Sequence, residues 1–275
     1  MTVALADAYK AYKKLRLAGR SPRTGHQYDV YLRFFDRYLE RPALLTDLDD
    51  ETVTAFLGWL TAGRSPATVN RARECILALW RWLARKRKVE QFPDVDRLQE
   101  YKRVPEAWSA AQIAHLVETA YRGDWGKKAP KPIGGIPANL WWAGILLFVY
   151  DTGCRIGAVL AVRVADANLD TGRVLVRAET QKQHADQVFH LDPTTRAVLR
   201  EFAHGELLFP WEMCIGSLYG HFRRLLKAAG LPHGRRDKFH RIRRTSATMA
   251  ELHVGRGVAT VLLGAFVGRG HEKLR

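Results

Sequence analysis

The chain has 275 residues, of which 47% are hydrophobic, and a formal net charge of +16. This length suits one large domain or two smaller ones. So large a positive charge on a folded chain indicates a polyanionic partner. Nucleic acid is favoured over a membrane surface, because the sequence has neither a basic amphipathic helix nor a lipid-anchor motif.

The positive charge is shared between the two halves of the chain. Residues 1–104 carry 20 lysine and arginine residues against 13 aspartate and glutamate residues, and residues 105–275 carry 24 against 15. Two basic bodies on one chain suit a protein that closes around a DNA duplex better than an enzyme with a single basic arm.

The cysteines and the apolar runs restrict the cellular setting. Cys75, Cys154 and Cys214 are far apart and form no CxxC pair, which argues against a zinc site or a disulfide framework. The first fifteen residues mix charged and apolar side chains too early for a signal peptide. The longest apolar run, residues 140–150, is shorter than the roughly 18–20 residues of a membrane span. We therefore expect a soluble cytoplasmic protein that needs no metal or cofactor and has no membrane partner.

Four helices are predicted in the first ninety residues. The first covers residues 4–17, and the second begins at Ser21-Pro22, where serine is a favoured N-cap and proline a favoured first helical residue. The third begins at Asp49 and the fourth at Ser65-Pro66. Residues 91–105 contain Pro93 and Pro105 without clear periodicity, and we interpret them as an interdomain linker.

The second half of the chain is predicted to be mixed. A capping box begins a helix at Ser109, an apolar helix covers residues 138–150, and two strands at 173–179 and 187–191 form a β-hairpin with residues 179–186 at its tip. Later helices are predicted after Asp192-Pro193 and at 216–230, 241–253 and 258–263. The predicted fold is mainly α with a small antiparallel β-sheet.

Three motifs carry side chains suited to phosphate chemistry. His240 and Arg243 are three residues apart on a predicted helix and so face the same side, where a proton-transfer group lies beside a phosphate anchor. Arg155 ends the sequence Thr-Gly-Cys-Arg at a helix start, and Lys182 lies near the hairpin tip. Taken alone, each motif is better explained by solvated surface side chains.

The order of the three motifs resembles the tyrosine recombinases of the phage integrase family. YDTGCRIGAVLAVRVADANLDTGRVLV is similar to the family's first arginine box, ETQKQHADQVFHL to its lysine hairpin, and FHRIRRTSATMAELHVGRGVATVLLG to its second box. SPRTGHQYDVYLRFFDRYL and SPATVNRARECILALWRWL resemble its helical core-binding domain, which is SAM-like. The resemblance extends over almost the whole chain.

The resemblance implies a core-binding domain at residues 1–90, a linker at 91–105, and an α+β catalytic domain of the DNA breaking-rejoining type at 106–275. It also implies that Arg155 and Arg243 hold the scissile phosphate, that Lys182 is the general acid toward the 5′-hydroxyl, and that His240 assists as a base or hydrogen-bond donor. In such a site the two guanidinium groups supply the positive charge, so no metal is required.

The sequence departs from the family pattern after about residue 264. The family's Leu-Gly-His turn is Leu263-Gly264-Ala265 here, the nucleophilic tyrosine is expected near Leu274, and no tyrosine follows Tyr219. The glutamate that often follows the first arginine is Ala158. Either the reading frame is disrupted just after Gly264, or the chain is a settled DNA-binding relative that lacks the nucleophile.

Double-stranded DNA is the predicted partner, with a tetramer on DNA as the family's expected assembly. Between His221 and Arg244 nine lysine and arginine residues accompany one acid, Asp237. The predicted DNA-contacting residues are Arg23, Arg33, Arg71, Arg73, Arg223, Arg224, Arg235, Arg236, Lys238, Arg241 and Arg244.

Three functions are compared on this basis. The leading one is site-specific recombination or integration in a mobile element or its decayed copy. The second is a non-catalytic DNA-binding protein at recombination sites, and the third is a nuclease or a DNA-relaxing enzyme. The third is disfavoured because neither a nucleophile nor metal ligands are evident.

Overall fold

A computed structural model describes residues 3–101, 106–123, 125 and 131–254, without the side chains of residues 253 and 254. The chain divides into two compact units, Met1–Arg103 and Val104–Arg275. Among the described residues, no helix has the length and apolar character needed to cross a membrane.

The first unit is a helical bundle. Its helices are α1 (Leu5–Arg16), α2 (Pro22–Leu39), α3 (Asp50–Thr61) and α4 (Pro66–Arg85). The predicted starts at Ser21 and Asp49 are confirmed, because their side chains accept hydrogen bonds from Arg23 N and Thr52 N. Phe35, Phe56 and Trp80 are fully buried where α2, α3 and α4 meet.

Residues 91–101 form no helix or strand, yet hydrogen bonds from side chains of α4 hold them in place. The Asn70 side chain donates to Leu98 O at 2.8 Å and accepts from Leu98 N at 2.9 Å. Trp80 Nε1 donates to Gln91 O at 2.8 Å, and Val95 is buried. This packing was not evident from the sequence, where the segment was interpreted only as a linker. The domain boundaries at 90 and 105 stay predictions.

The second unit combines helices with one small sheet. Its helices are α5 (Ala110–Arg122), α6 (Ala138–Thr152), α7 (Ile156–Val159), α8 (Pro193–Arg200), α9 (Ile215–Ala228) and α10 (Phe239–Val254). Its strands are β1 (Ala167–Asn168), β2 (Arg173–Val176) and β3 (Gln187–His190). The capping box predicted at Ser109 is present. The helix predicted at 258–263 lies outside the described residues.

The sheet is antiparallel, with the strand order β1-β2-β3. Val174 pairs with Phe189, and both are buried, whereas Leu175 pairs with Val188 on the more exposed face. The hairpin of β2 and β3 was predicted, but β1 was not, because two residues are too few to show alternation. The predicted fold class, mainly α with a small antiparallel sheet, is confirmed.

The apolar helix α6 lies at the centre of the second unit. Trp141, Trp142 and Phe148 on this helix are fully buried. The Trp142 ring stacks with Phe222 of α9 and Phe239 of α10, each at a centroid distance of 6.2 Å. The stacked rings hold α10 against the helix whose C-terminus leads to Arg155, so one core supports two of the predicted site segments.

Candidate active site

The turn that carries Arg155 is fixed by hydrogen bonds at the end of α6. Gly153 has a φ of +58°, which favours glycine, and its N–H donates to Val149 O at 2.9 Å. The Thr152 hydroxyl donates to Phe148 O at 2.7 Å and accepts from Cys154 N at 3.2 Å. Arg155 is the N-cap residue of α7, and its side chain leaves this turn partly exposed.

The second arginine reaches the same turn from α10. Phe239, Ile242 and Thr245 form the buried side of this helix, while His240 is exposed and Arg243 half-buried. The Arg243 Nη1 donates a hydrogen bond to the carbonyl oxygen of Gly153. Two arginines that are 88 positions apart in the sequence are therefore brought to one backbone turn.

The two guanidinium groups affect each other electrostatically. Burial, and to a smaller extent the positive charge of Arg155, lower the pKa of Arg243 to about 10. Arg243 nevertheless remains protonated at neutral pH. Holding two like charges near one turn is unfavourable unless an anion is bound there, so the arrangement suits a phosphate group.

His240 adds a group that can exchange protons near neutral pH. Partial desolvation lowers the pKa of its imidazole below the ordinary value of 6.5, and the charges of Arg243 and Arg155 act in the same direction. The imidazole is therefore mainly neutral at pH 7 and can accept a proton or form a hydrogen bond.

Lys182 lies in the connection between β2 and β3, between two residues that are held in place. Gln181 is buried, and its Nε2 donates to Val176 O and Ala185 O, each at 3.1 Å. Gln183 Oε1 accepts from Arg155 Nη1 at 3.2 Å. The lysine itself is exposed. The loop is thus placed beside Arg155, although no contact joins the Lys182 ammonium to the other three predicted site residues.

Sequence reasoning missed the residues that support this loop. The Asp166 carboxylate is 5% exposed and forms a two-point ion pair with Arg177, with contacts of 2.8 and 2.6 Å. Asp186 Oδ1 also accepts from Ala178 N at 2.6 Å. Their polar side chains beside the hairpin were the only available sequence signal, and solvated turn residues give the same signal.

Most predicted DNA-contacting residues of the second unit have exposed side chains. Arg223, Arg224, Arg235, Arg236 and Arg244 are exposed. The Lys238 ammonium, on a half-buried residue, lies 4.5 Å from the ring centroid of Tyr219. Their DNA contacts stay predictions.

Arg241 is less accessible than the other predicted DNA-contacting arginines of the second unit. Its side chain is 12% exposed and pairs with Asp237, whose side chain is 11% exposed, and with Glu106 at 3.4 Å. Its guanidinium also lies 5.1 Å from the ring centroid of Trp108. The charge of this arginine is thus paired within the fold around α10, and its DNA contact stays a prediction.

In the first unit, Arg23, Arg33 and Arg71 are exposed, as a DNA contact requires. Arg73 differs, because it is half-buried and its Nε donates to Val95 O at 2.8 Å. Arg73 therefore helps to hold the segment after α4, and its DNA contact stays a prediction.

The predicted departure from the family at the C-terminus, with the position near Leu274, lies outside the described residues. Tyr219, which precedes the second arginine box, is half-buried against Phe239 at a centroid distance of 6.2 Å. Ala158 is buried in α7. Cys154 is also buried, and its burial raises the pKa of the thiol to about 11. In the described part of the chain, no three His, Cys, Asp or Glu side chains cluster as metal ligands do.

Comparison with known sequences finds a family and a relative. The model of the phage integrase family matches residues 128–264. The protein named "Putative tyrosine recombinase TTE1313", from Caldanaerobacter subterraneus subsp. tengcongensis, is 25% identical over 134 residues. The alignment spans 48% of this chain and 42% of that relative, so the chain matches less than half of the relative's length.

Comparison with solved structures finds the same fold in DNA-bound integrases. A lambda integrase tetramer bound to a Holliday junction matches with a TM-score of 0.72 and 21% identity, over 99% of this chain and 80% of that one. The Tn1549 transposon integrase in complex with transposon right end DNA matches with a TM-score of 0.74 and 13% identity, over 95% and 91%. At these identities the likeness establishes the fold alone.

Proposed function

Because the chain belongs to the phage integrase family of tyrosine recombinases, we propose that it binds double-stranded DNA at a recombination site and holds one phosphodiester between Arg155 and Arg243. The observation that carries this proposal is the hydrogen bond from Arg243 to Gly153 O, which brings the second arginine to the turn of the first.

Each of the four site residues has a role that its surroundings support. Arg155 and Arg243 neutralise the charge that accumulates on the non-bridging oxygens in the transition state. Lys182, exposed on the loop that Gln183 holds against Arg155, protonates the 5′-oxygen leaving group. His240, with its lowered pKa, accepts the nucleophile's proton or hydrogen-bonds to the phosphate.

We further propose that the polypeptide with this sequence binds DNA without forming a covalent adduct. The family's 3′-phosphotyrosyl link requires a tyrosine after the second box, and residues 265–275 contain none. Tyr219 is an unsuitable substitute, since it is half-buried and precedes the second box.

A non-catalytic role at recombination sites is the second candidate function. One observation favours it. The fold brings Arg155 and Arg243 to one turn and holds the loop of Lys182 beside them, although the sequence lacks a tyrosine at the expected position. Such a protein would occupy the site or join an active relative in a mixed assembly on DNA. The solved lambda integrase is a tetramer, and we propose a similar assembly here.

A gel assay with duplex DNA and a nicked suicide substrate tests these proposals. The chain is expected to retard the duplex but to give no covalent band on a denaturing gel. Arg243→Gln is expected to weaken DNA binding and to reduce the slope of log affinity against log salt concentration by about 1. Arg122→Gln, which changes an exposed arginine of α5, is the control and should have little effect on either quantity.

Four outcomes of these assays separate the alternatives. A covalent band from the unaltered chain would contradict the missing nucleophile, and failure to retard DNA would contradict the function as a whole. If a tail with Gly-His and tyrosine at the family spacing replaces residues 265–275 and cleavage appears, the site is a recombinase site that lacks only its nucleophile. If cleavage does not appear, the non-catalytic role is favoured.

A further inference from the structure

The first unit contains an aromatic groove flanked by two arginines. It lies between α2, the end of α3 and the residues before α4, and has a cavity volume of about 440 Å³. Phe34, Trp59 and Leu60 supply the apolar surface, and Arg37 and Arg64 supply the charge. No carboxylate lines this groove.

The two guanidinium groups are held against one ring. The Cζ of Arg37 lies 5.8 Å and the Cζ of Arg64 lies 5.4 Å from the ring centroid of Phe34. Both arginines are exposed to solvent and so accessible to a partner. A guanidinium that rests on an aromatic face keeps its planar fork in a defined orientation, which costs less entropy on binding than ordering a free side chain.

The apolar side of the groove is equally well supported. Trp59 is 42% exposed, and its ring stacks on Phe56 at 6.3 Å and contacts Tyr38 at 6.0 Å. The indole is therefore held in place at the surface with one side accessible. A partner of this groove must combine negative or hydrogen-bond-accepting edges with apolar surface.

We propose that Arg37 and Arg64 form a base-reading site for a guanine-containing step in the major groove of double-stranded DNA. This inference rests on the proposed function, because it requires that the chain binds duplex DNA. An arginine fork matches the O6 and N7 acceptors of guanine, and the apolar surface beside it accommodates a thymine methyl group.

The surrounding charges favour DNA over an acidic peptide. Arg23 lies three helical turns before Phe34 on the same face of α2, and Arg71 lies in the second turn of α4, which begins just after Arg64. Both are exposed, although Arg71 forms an ion pair with Glu74 at 3.0 Å, so Arg23 adds a positive charge beyond the groove that can contact the phosphate backbone. A short acidic peptide would not use charges spread over this length.

A binding selection with the full chain tests the proposal. The probe is a pool of DNA duplexes with a randomised centre, and the variants are Arg37→Lys and Arg64→Lys, which keep the charge but remove the fork. The control is Arg85→Lys, an exposed residue at the far end of α4, roughly 30 Å along the helix from its start.

The wild-type chain is expected to enrich a motif with at least one fixed guanine. Each of the two lysine variants is expected to lose the preference at that guanine by roughly 5- to 150-fold. Their binding to the unselected pool should change by less than about twofold, because the charge that contacts phosphates is retained. The control should select the wild-type motif.

Failure of the base-reading site can be distinguished from failure of the proposed function. If the wild-type chain retains no duplex, the proposed function itself is wrong. If it binds duplexes without an enriched motif, or if both variants select the unchanged motif, the base-reading site is overturned. An unchanged DNA motif together with loss of binding to an immobilised aspartate-rich peptide library would assign the groove to an acidic protein partner, which also overturns the proposal.

Discussion

The imidazole of His240 is the side chain of the candidate site whose charge changes closest to neutral pH. Desolvation and the charges of Arg243 and Arg155 lower its pKa below 6.5. Because the folded state then binds this proton less readily than the unfolded state, protonation of His240 opposes folding. Stability is lost as the pH falls from 6.5 toward the lowered pKa of the folded state.

A titration of His240 by nuclear magnetic resonance checks this. The pKa is expected to lie below 6.5 in the free protein and to rise when a DNA duplex binds, because a phosphate favours the protonated ring. Arg243→Gln should raise it, since one positive neighbour is removed. Arg224→Gln is the matched control: it should raise the pKa of His221, which burial and Arg224 lower, and leave His240 unchanged.

Asp237 allows a second test at the residue scale. Asp237→Asn removes the buried ion-pair partner of the largely buried Arg241 guanidinium and leaves it only the exposed Glu106, at 3.4 Å. The free energy of unfolding is expected to fall by about 2–4 kcal/mol, as measured by urea denaturation. Arg244→Gln, an exposed neighbour, should change it by less than about 0.5 kcal/mol. If Asp237→Asn lowers the free energy of unfolding as little as Arg244→Gln does, the ion pair does not stabilise the fold, and Arg241 is available for a DNA contact.

The sequence predicted site residues better than it predicted their supports. Arg155, His240 and Arg243 were found because their types, spacing and order form a pattern. The hydrogen bond that Arg243 donates to Gly153 O, and the one that Arg155 donates to Gln183, could not be predicted, since they join positions far apart in the sequence. For a related reason the pairing of Arg73 and Arg241 within the fold was not predicted: sequence alone does not distinguish an exposed arginine from one with a partner inside the protein.

Among the elements, α10 depends on residues that precede α5 in the sequence. The Thr245 hydroxyl is buried, accepts a hydrogen bond from Trp108 N at 2.9 Å, and donates to Arg241 O at 3.0 Å. Together with the ring stack on Trp142, this bond sets where the helix presents His240 and Arg243. The segment just before α5 is thus held against the helix of the candidate site.

Thr245→Val tests this attachment. Valine keeps the shape but leaves Trp108 N–H buried without its acceptor, so the free energy of unfolding should fall by about 1–3 kcal/mol. Amide hydrogen exchange of α10 should also become faster. Thr248→Val, an exposed position of the same helix, should have little effect on either quantity. Equal effects of the two variants would show that the bond does not hold α10.

Helix starts were the elements best predicted from the sequence. Ser21, Asp49 and Ser109 begin helices because each side chain satisfies a backbone N–H of the first turn, which is a local property. The strand β1 and the packing of residues 91–101 were missed because both depend on distant partners. Local sequence signals therefore predicted the helices, and the order of the three motifs indicated the protein family.

At the scale of the whole molecule, the positive charge governs how the protein meets DNA. A net charge of +16, spread over both units, should make binding strongly salt-dependent, because each phosphate contact releases a counterion.

Fluorescence anisotropy with a labelled duplex is expected to show an affinity loss of roughly 10³- to 10⁵-fold between 50 and 200 mM salt if about 6–10 phosphates are contacted. The double variant Arg235→Gln/Arg236→Gln removes two exposed positive charges and should reduce the slope of log affinity against log salt concentration by about 2. Arg122→Gln again serves as the control. A flat salt response would argue against a protein that closes around the duplex.

The burial of two of the three cysteines has a practical consequence for measuring how fast the protein binds DNA. Cys75 and Cys154 are buried, and burial raises the pKa of each thiol to about 11, whereas Cys214 is exposed just before α9. Since the thiolate is the reactive form, a maleimide dye added at neutral pH should attach at Cys214 without mutagenesis. The unaltered chain therefore offers a single attachment point for a fluorophore beside the basic helix α9, from which arrival on a labelled duplex can be timed by energy transfer.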